Sequence, residues 1–454
     1  MRNRDESFVR GLGGLLDAME SVSSAFTRPG ARNAWVVFAG WVLTTGVHAV
    51  TQALVVTDVA RRIHHERFHR FFSRGSWDPD ALGRLLFERI VSRLCPDGRL
   101  LIALDDTLAA KKGTEVFGLG NHLDAVHSSK HCRVFSFGHV WVVLAVVVRV
   151  PFSSRSWALP VLLRLYRNAS DCERTGHRFW KKTELGRLMV EMLLSWAGDR
   201  SIDVVADSAY CNDTLMRGLS KQVTVCGAIR PDAVLTAAPV AGPKRPGRRP
   251  TRGLTLPKPE QIYSDRAYPW HNSALMLYGR QTVVSYKVLR AQWYRGAGTR
   301  LGLVIVVRVE RGRIPMRVFF CSDCQRDPLD VLTAYAGRWS IEVCFRDLKQ
   351  HLGFADSSAR KQAAVERVAP FVAYCYSLLV LWFSDGVCTS ALAVPPIRPW
   401  YAHKKHASFA DVLRAAQRVL DQTDILDPAR GYDNLRQLAR PLQGRLAPSR
   451  RRAA

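Results

Sequence analysis

The sequence predicts an α/β fold in which helices flank a mixed β-sheet, with a helical N-terminal domain and a β-rich insertion. The main observation is the order of the segments: three apolar segments typical of buried strands, then an amphipathic helix, then alternating strands and helices. In chain order these are strands 98–106, 134–150 and 157–166, helix 181–198, and strands 202–208 and 223–229. The second observation is a strand-rich stretch that separates this sheet from its last amphipathic helix at 335–354.

The segments around this sheet have their own signatures. The first 95 residues predict helices, with a turn and a new helix start near residues 77–82. Residues 241–259 hold six basic residues, five prolines and no acid, which indicates a loop or linker that suits contact with phosphate. Strand-like segments at 282–294, 301–310 and 315–323 follow it. The chain after residue 429 carries seven Arg and one Asp, which predicts a basic tail.

These boundaries give five predicted regions. They are an N-terminal helical domain (1–95), the first part of the α/β domain (96–230), the β-rich insertion domain (231–318), the second part of the α/β domain (319–390), and a C-terminal helical region with a basic tail (391–454).

The charge of the chain points to a polyanionic partner. The 66 Lys and Arg residues exceed the 39 Asp and Glu residues, and the formal net charge is +27. An excess of this size favours nucleic acid as the partner, because Lys and Arg neutralise backbone phosphates.

Two groups of residues are alternative candidates for a zinc site. Cys321 and Cys324 form a single CxxC, and no second pair completes it, so we interpret it as the end of a strand. Four histidines and a cysteine lie together in the sequence, but their spacing closes no convincing tetrahedral set, and phosphate contact or ordinary packing explains them more simply. These residues are His122, His127, His131, Cys132 and His139.

The remaining composition favours a reduced, cytosolic protein. The ten cysteines are scattered through mostly apolar segments, which indicates free thiols. The start of the chain has no apolar core of a signal peptide. Residues 34–56 carry no formal charge and are long enough to span a bilayer, but polar residues interrupt them, so we favour a buried helix.

Acidic residues stand at three places that a metal-dependent phosphodiester reaction requires. Asp105 or Asp106 ends the strand 98–106, Asp207 ends the strand 202–208, and Glu342 lies on the last helix. Two divalent ions about 3.5–4 Å apart need carboxylates that meet in space from separate elements. Strand alternation does not decide between Asp105 and Asp106, because Ala103 and Leu104 leave both faces of the strand apolar.

The last helix concentrates its polar groups on one side. At about 100° per residue, and with Tyr335 at 0°, Arg338 lies near 300°, Lys349 near 320° and Glu342 near 340°. One carboxylate is therefore surrounded by a phenol and two cations. A simple i,i+4 ion pair between Arg338 and Glu342 is one interpretation. The other is that the cations hold DNA phosphates while Glu342 binds a metal.

The segments 104–113 (LDDTLAAKKG), 204–210 (VVADSAY) and 335–354 resemble the DDE transposases of bacterial insertion sequences, in particular the IS4-like and IS701-like group. Tyr335, Arg338, Glu342 and Lys349 fit the Y-x2-R-x3-E-x6-K signature of that group at every position. The resemblance covers roughly residues 60 to 415. It implies a ribonuclease H-like catalytic domain, formed by the regions 96–230 and 319–390 and interrupted by the β-rich insertion domain 231–318. The helical domain 1–95 would then bind DNA.

The resemblance also implies the chemistry. Asp105, selected over Asp106 because Thr107 stands two residues later, would bind two Mg²⁺ ions together with Asp207 and Glu342; Mn²⁺ could substitute. Tyr335, Arg338, Lys349, Lys111 and Lys112 would contact DNA, and Trp293 would stack on a base flipped from the DNA end. Lys111 and Lys112 could be surface lysines, but we expect them beside the metal site, just past the first acid, which favours phosphate contact.

The activity expected from the resemblance is transposition. The protein would bind terminal inverted repeats, cleave the 3′ phosphodiester and join the 3′-OH to target DNA. It would act as a homodimer in the cytoplasm, associated with the nucleoid, and would have no membrane partner. The alternatives are a structure-specific ribonuclease H-like nuclease and a catalytically silent DNA-binding regulator.

Overall fold

The computed structural model describes residues 2–113, 115–124, 127–129, 131–240, 250–277, 279–309, 316–395, 399–401 and 404–426. Part of the predicted basic linker (241–249) and the whole predicted basic tail after residue 429 lie outside the described residues.

The described residues form an α/β structure. Its helices are α1 (Arg2–Glu20), α2 (Arg28–Leu43), α3 (Val50–Val56), α4 (Glu66–Ser73), α5 (Pro79–Leu94), α6 (Ala169–Arg174), α7 (Lys182–Trp196), α8 (Asp213–Met216), α9 (Pro259–Ser264), α10 (Tyr294–Ala297), α11 (Pro328–Gly337), α12 (Trp339–His351), α13 (Gln362–Ser384) and α14 (Phe409–Leu420). Its strands are β1 (Leu100–Ala110), β2 (Gly120–Leu123), β3 (Phe135–Arg149), β4 (Ser156–Tyr166), β5 (Ile202–Ala206), β6 (Val223–Ile229), β7 (His271–Leu277), β8 (Arg280–Gln292), β9 (Leu301–Arg308) and β10 (Met316–Cys321). Short 3-10 helices cover Ser23–Ala25, Val59–Arg61, Val387–Thr389, Ala391–Ala393 and Pro399–Tyr401.

The strands form one mixed sheet. Their order is β2-β3-β1-β5-β6-β10-β9-β8-β7, and β4 also pairs with β3. Strand β3 is antiparallel to both β1 and β4, whereas β1, β5 and β6 run parallel to one another. Three antiparallel strands, a helix and two parallel strands match the predicted order. The predicted fold class, a ribonuclease H-like mixed sheet with flanking helices, is therefore confirmed.

Strand β1 is longer than predicted. It continues to Ala110 instead of ending at residue 106, because β3 pairs with it as far as Ala110. Its parallel neighbour β5 stops at Ala206, beside Leu104. The acids of β1 therefore lie in mid-strand, at the point where one of the two neighbouring strands ends.

The β-rich insertion extends this sheet. Strand β10 pairs antiparallel with β6, and β9, β8 and β7 follow outward in that order. Hydrogen bonds thus connect the strands of the predicted insertion domain directly to the catalytic strands. Two strands were absent from the sequence prediction: the short β2, and β7 at the outer edge.

The helices at both ends of the chain pack together on the sheet. Helix α13 contacts β4 and the N-terminal helices α1, α4 and α5. Trp41 Nε1 donates a hydrogen bond to the Leu352 carbonyl oxygen at 3.0 Å, and Trp382 Nε1 donates to the Gly11 carbonyl oxygen at 2.8 Å. The segment 1–95, predicted as a DNA-binding domain, thus shares a core with the C-terminal helices.

One helix of the described residues, α13, is long and apolar enough to cross a membrane, and 89% of its most apolar window is buried in the protein. The uncharged stretch 34–56 forms no continuous helix, because α2 ends at Leu43 and α3 begins at Val50. With 16 and 7 residues, neither helix matches the roughly 20 residues that a bilayer span requires.

Candidate active site

The register of β1 against β5 brings two acids side by side. Leu104 is paired with Ala206, and each is followed by an aspartate, Asp105 and Asp207. Adjacent strands lie about 4.8 Å apart. Both acids therefore stand at the edge where β5 ends, and the charge of Asp207 is close enough to raise the pKa of Asp105.

The third acid, Glu342 of α12, is linked to this edge by Arg338. Arg338 donates from Nη1 to Asp105 Oδ2 at 2.7 Å and from Nη2 to Glu342 Oε1 at 2.6 Å. One guanidinium thus joins a carboxylate of the sheet to a carboxylate of the helix. The i,i+4 ion pair considered from the sequence is present, and Asp105 extends it to a three-residue network.

The segment 335–354 is not the single helix that was predicted. Helix α11 ends at Gly337, α12 begins at Trp339, and Arg338 stands at the junction. The turn is tightened there, because the Ile341 N–H donates to the Arg338 carbonyl oxygen three residues earlier at 3.0 Å. Tyr335 is therefore on a different helix from Glu342 and Lys349.

Asp105 is held in an environment that disfavours its charge. Its side chain is 16% exposed. Burial raises the pKa of the Asp105 carboxyl to about 7, and the Asp207 charge adds to this effect, although the Arg338 charge opposes it. The positive charge of Arg338 therefore does not fully compensate the burial of Asp105 and the nearby charge of Asp207.

Asp207 shapes the turn that follows β5. Its Oδ1 accepts the N–H groups of Ala209 at 2.9 Å and Tyr210 at 3.2 Å. These bonds are typical of an aspartate that caps a turn. They fix the orientation of the carboxylate at the end of the strand.

Asp106, the alternative first acid, has a different set of partners. Its Oδ1 accepts from the Tyr210 hydroxyl at 2.8 Å, and its Oδ2 accepts from Lys182 Nζ at 2.7 Å. Lys182 belongs to α7, so Asp106 is engaged with α7 and the β5 turn, whereas Asp105 is engaged with α12. Successive side chains of a strand point to opposite faces, which explains the separation.

The donor types of this site fit divalent ions, because Mg²⁺ and Mn²⁺ prefer carboxylate oxygens. In the conformation described here, Arg338 occupies one oxygen of Asp105 and one of Glu342. The described part of the chain contains no group of three or more His, Cys, Asp or Glu side chains close enough to hold a metal ion. Asp105, Asp207 and Glu342 are the residues that would hold such ions, and two of the three are bound to Arg338 in this conformation.

The predicted DNA-binding residues of the motif lie near the acids but in different settings. The Tyr335 ring packs on Phe319 with centroids 4.6 Å apart, and the Arg338 guanidinium carbon is 5.7 Å from the Tyr335 ring centroid. Lys349 is exposed on α12. It lies seven residues after Glu342, which is about 10 Å along the helix axis.

Lys111 and Lys112 are farther from the acids than predicted. Because β1 continues to Ala110, Lys111 lies six residues beyond Asp105, about 20 Å along the strand direction. Its ammonium group donates to the Ser357 carbonyl oxygen. Both lysines line a cleft with Arg360, so the expectation that they stand beside the metal site is wrong.

Two tryptophans are candidates for a base-stacking residue: Trp293, predicted from the sequence, and Trp339. Trp293 is half-buried and packs against Phe320, with centroids 5.5 Å apart. Trp339 is 51% exposed and directly follows Arg338 at the start of α12. The sequence contained a signal for it: four residues after Tyr335, it falls near 40°, next to the polar arc of the motif.

The histidines of the alternative zinc site do not converge. His139 is buried, its Nε2 lies 2.8 Å from the Phe117 carbonyl oxygen, and burial lowers its pKa to about 4. His127 is exposed and pairs with Asp124 at 2.9 Å. Cys321 ends β10 and lies opposite Cys226, with sulfur atoms 3.3 Å apart. These contacts are those of packing and local ion pairs.

Comparison with known proteins agrees with this geometry. A family model described as DDE superfamily endonuclease matches residues 21–300. The matched region contains Asp105 and Asp207 and ends before Glu342. None of the curated proteins matches the sequence. Because the model matches more than half of the chain, the chain belongs to the DDE superfamily endonucleases.

Proposed function

We propose that this endonuclease is a DNA transposase of the IS4-like or IS701-like group. It binds the terminal inverted repeats of an insertion sequence, cleaves the 3′ phosphodiester and joins the freed 3′-OH to target DNA. The observation that carries the proposal is the bridge from Asp105 of β1 through Arg338 to Glu342 of α12, with Asp207 beside Asp105 at the end of β5. The charge of +27 supports DNA as the substrate.

The reaction needs divalent ions, and Asp105, Asp207 and Glu342 would hold them. When bound, two such ions activate the attacking oxygen and stabilise the leaving oxygen of an in-line displacement. The protein places the carboxylates: Asp207 is oriented by its turn, and Asp105 by the register of β1 against β5. No side chain of the protein is required as a nucleophile.

The residues around the acids bind the DNA backbone in this proposal. Arg338 and Lys349 are on α12 or at its start and would hold phosphates on either side of the scissile bond. The Tyr335 hydroxyl would donate to the same backbone. Lys111 and Lys112, about 20 Å from Asp105, would contact DNA farther from the scissile bond.

The remaining parts of the proposal concern assembly and location. Two copies would bring two transposon ends together before joining, which requires a homodimer in the synaptic complex. The protein would work in the cytoplasm, associated with the nucleoid.

The experiment that tests the function uses the purified full chain. Duplexes are made from the DNA that flanks the coding region on each side, and they are incubated with the protein, Mg²⁺ and a supercoiled target plasmid. We expect nicks at the 3′ ends of the flanking repeats and products in which these ends are joined to the plasmid. Cleavage without joining would favour the structure-specific nuclease, and binding without cleavage would favour the regulator.

Lys349→Ala should weaken binding to these duplexes without changing the fold. Because Lys349 is exposed, its removal leaves no buried group unpaired. Loss of one phosphate contact should lower the slope of log K against log salt by about 0.9. Binding is measured by fluorescence anisotropy at several salt concentrations.

The matched control for this prediction is Lys221→Ala. Lys221 is also exposed, but it precedes β6, at the end of the parallel strands opposite to Asp207. Its replacement should leave the salt slope close to that of the wild type. Equal slopes for all three proteins would remove Lys349 from the DNA interface.

Trp339→Ala should impair processing of fully paired ends more than of ends with an unpaired terminal base. The exposed indole of Trp339, the residue that follows Arg338, can stack on a base that leaves the duplex, and stacking contributes about 1–3 kcal/mol per base. Rates of 3′ nicking on paired and mismatched duplexes measure the effect.

Trp293→Ala tests the prediction from the sequence in the same assay. Trp400, which is exposed between α13 and α14, supplies the control Trp400→Ala. A similar loss on both substrates would argue against stacking by Trp339.

A further inference from the structure

Arg338 occupies the position between two of the acids. Its two terminal nitrogens bind Asp105 at 2.7 Å and Glu342 at 2.6 Å, and its side chain is only 12% exposed. These carboxylate oxygens are those that a cation between β1 and α12 would use. The guanidinium therefore takes the place of a positive ion at the site.

The guanidinium is held incompletely. Arg338 Nε is buried and has no hydrogen-bond partner among the described residues. A buried N–H without a partner is unfavourable, so this arrangement is not the best that an arginine can reach. A phosphate can accept two parallel bonds from an arginine, including one from Nε.

The charges also favour an exchange. Two carboxylates, Asp105 and Glu342, share the single guanidinium, and the charge of Asp207 also acts on Asp105. Lys182 does not add a positive charge on this side, because it is engaged with Asp106 on the side of β1 that faces α7. When Arg338 leaves, Asp105 and Glu342 each regain an oxygen for a divalent ion, which compensates more negative charge than one guanidinium does.

The position of Arg338 makes such a movement possible. The residue joins α11 to α12 with helical backbone angles, φ −52° and ψ −38°, so the exchange requires rotation of its side chain and no change of the backbone. The next residue, Trp339, is 51% exposed, which places the junction at the surface that DNA would approach.

We propose that Arg338 is an exchangeable counterion that couples metal binding to DNA binding. Without DNA it holds Asp105 and Glu342 and competes with divalent ions for their oxygens. When a DNA end approaches, the guanidinium transfers to a phosphate and frees both carboxylates. This inference rests on the proposed function, and it adds that the metal site is completed only in the presence of DNA.

Coupling of this kind is reciprocal. If DNA increases the affinity for the ion by some factor, the ion increases the affinity for DNA by the same factor, and typical factors are about 5 to 150. The benefit for a nuclease is selectivity, because an enzyme without its DNA end would carry little metal at the reacting position.

The test is Mn²⁺ binding by the full chain, followed by electron paramagnetic resonance, with and without the flanking duplexes. Four proteins are compared: wild type, Arg338→Gln, Arg346→Gln and Glu342→Gln. Arg346 is the matched control, since it is an exposed arginine of the same helix that pairs with Asp347. Glu342→Gln identifies the signal that comes from the acids.

We expect Arg338→Gln to bind Mn²⁺ about tenfold more tightly than the wild type in the absence of DNA. Adding the duplexes should raise the affinity of the wild type and of Arg346→Gln about tenfold, and should change that of Arg338→Gln much less. The loss of the DNA effect is the decisive result, because a merely electrostatic influence of Arg338 would leave it intact.

The outcomes distinguish a failure of the proposed exchange from a failure of the proposed function. If Mn²⁺ binds in a Glu342-dependent manner and DNA affects Arg338→Gln as strongly as the wild type, the exchange is wrong and the metal site stands. If no protein binds Mn²⁺ in a Glu342-dependent manner, with or without DNA, the metal-dependent function itself fails. Should Arg338→Gln not fold, Arg338→Lys replaces it, since its single nitrogen should weaken the bridge and reduce the coupling.

Discussion

Glu342→Gln should lower DNA cleavage by about a factor of 1,000 or more and leave DNA binding nearly unchanged. The amide oxygen can still accept a hydrogen bond from Arg338, so the contact between helix and arginine is preserved. The negative charge that a divalent ion requires is lost. Asp207→Asn should have the same effect, because it also removes a negative charge. Its amide oxygen can still accept the N–H groups of Ala209 and Tyr210, so the turn is preserved. Cleavage is measured on end-labelled duplexes, and binding by anisotropy.

The chain contains a closely matched control for this substitution. Arg187 and Glu191 of α7 form an i,i+4 ion pair at 2.6 Å, the same spacing and distance as Arg338 and Glu342. Glu191→Gln removes a charge from such a pair at a position that we assign no role in the reaction, and it should leave cleavage within about twofold of the wild type. Full Mg²⁺-dependent nicking by Glu342→Gln would exclude this residue as a metal ligand.

The strands of the core were predictable because their sequences carry strong local signals. The predicted segment 134–150 differs from β3 by one residue at each end, and the segment 157–166 differs from β4 by one residue at its start, since β-branched and aromatic residues fill both. Strand β7 was missed because its polar start, HNS, breaks the alternation. Its place at the sheet edge comes from pairing with β8, which a local pattern does not contain.

The helices show a different limit of sequence patterns. A 100° period continues through residues 335–354, yet the structure breaks at Arg338, where its side chain reaches Asp105 on β1. Residues 34–56 carry no formal charge, yet they lie on two separate helices, α2 and α3. In both cases tertiary contacts decide where a helix ends, and these contacts are invisible to periodicity.

The three acids of the candidate site could be named from the sequence, but their mutual contacts could not. Whether Asp105 or Asp106 faces Glu342 depends on the register of β1 against β5 and on the side from which α12 packs. The bridge through Arg338 depends on the distance between β1 and α12. Motif spacing fixes which residue types are present, and the sheet determines which of them meet.

Comparison of Asp105→Asn with Asp106→Asn gives the second large expected effect. Asp105→Asn should reduce cleavage by about a factor of 1,000 or more, because it removes a carboxylate that faces Glu342 across Arg338. Asp106→Asn should leave cleavage within about tenfold of the wild type and lower stability by about 1–3 kcal/mol, since Lys182 loses its charged partner. Nicking rates and thermal unfolding of both variants measure these outcomes.

The pH dependence of metal binding supplies a second signature of the same assignment. The pKa of Asp105 is raised to about 7, so in the free protein this carboxyl becomes protonated as the pH falls through 7. A divalent ion must then displace that proton, and its apparent affinity should fall by up to about tenfold for each pH unit below 7. Asp106→Asn should keep this dependence, and Asp105→Asn should lose it together with most of the binding. If instead Asp106→Asn abolishes nicking and Mn²⁺ binding while Asp105→Asn retains both, Asp106 is the metal ligand and β1 must present the opposite face to α12 in the active protein.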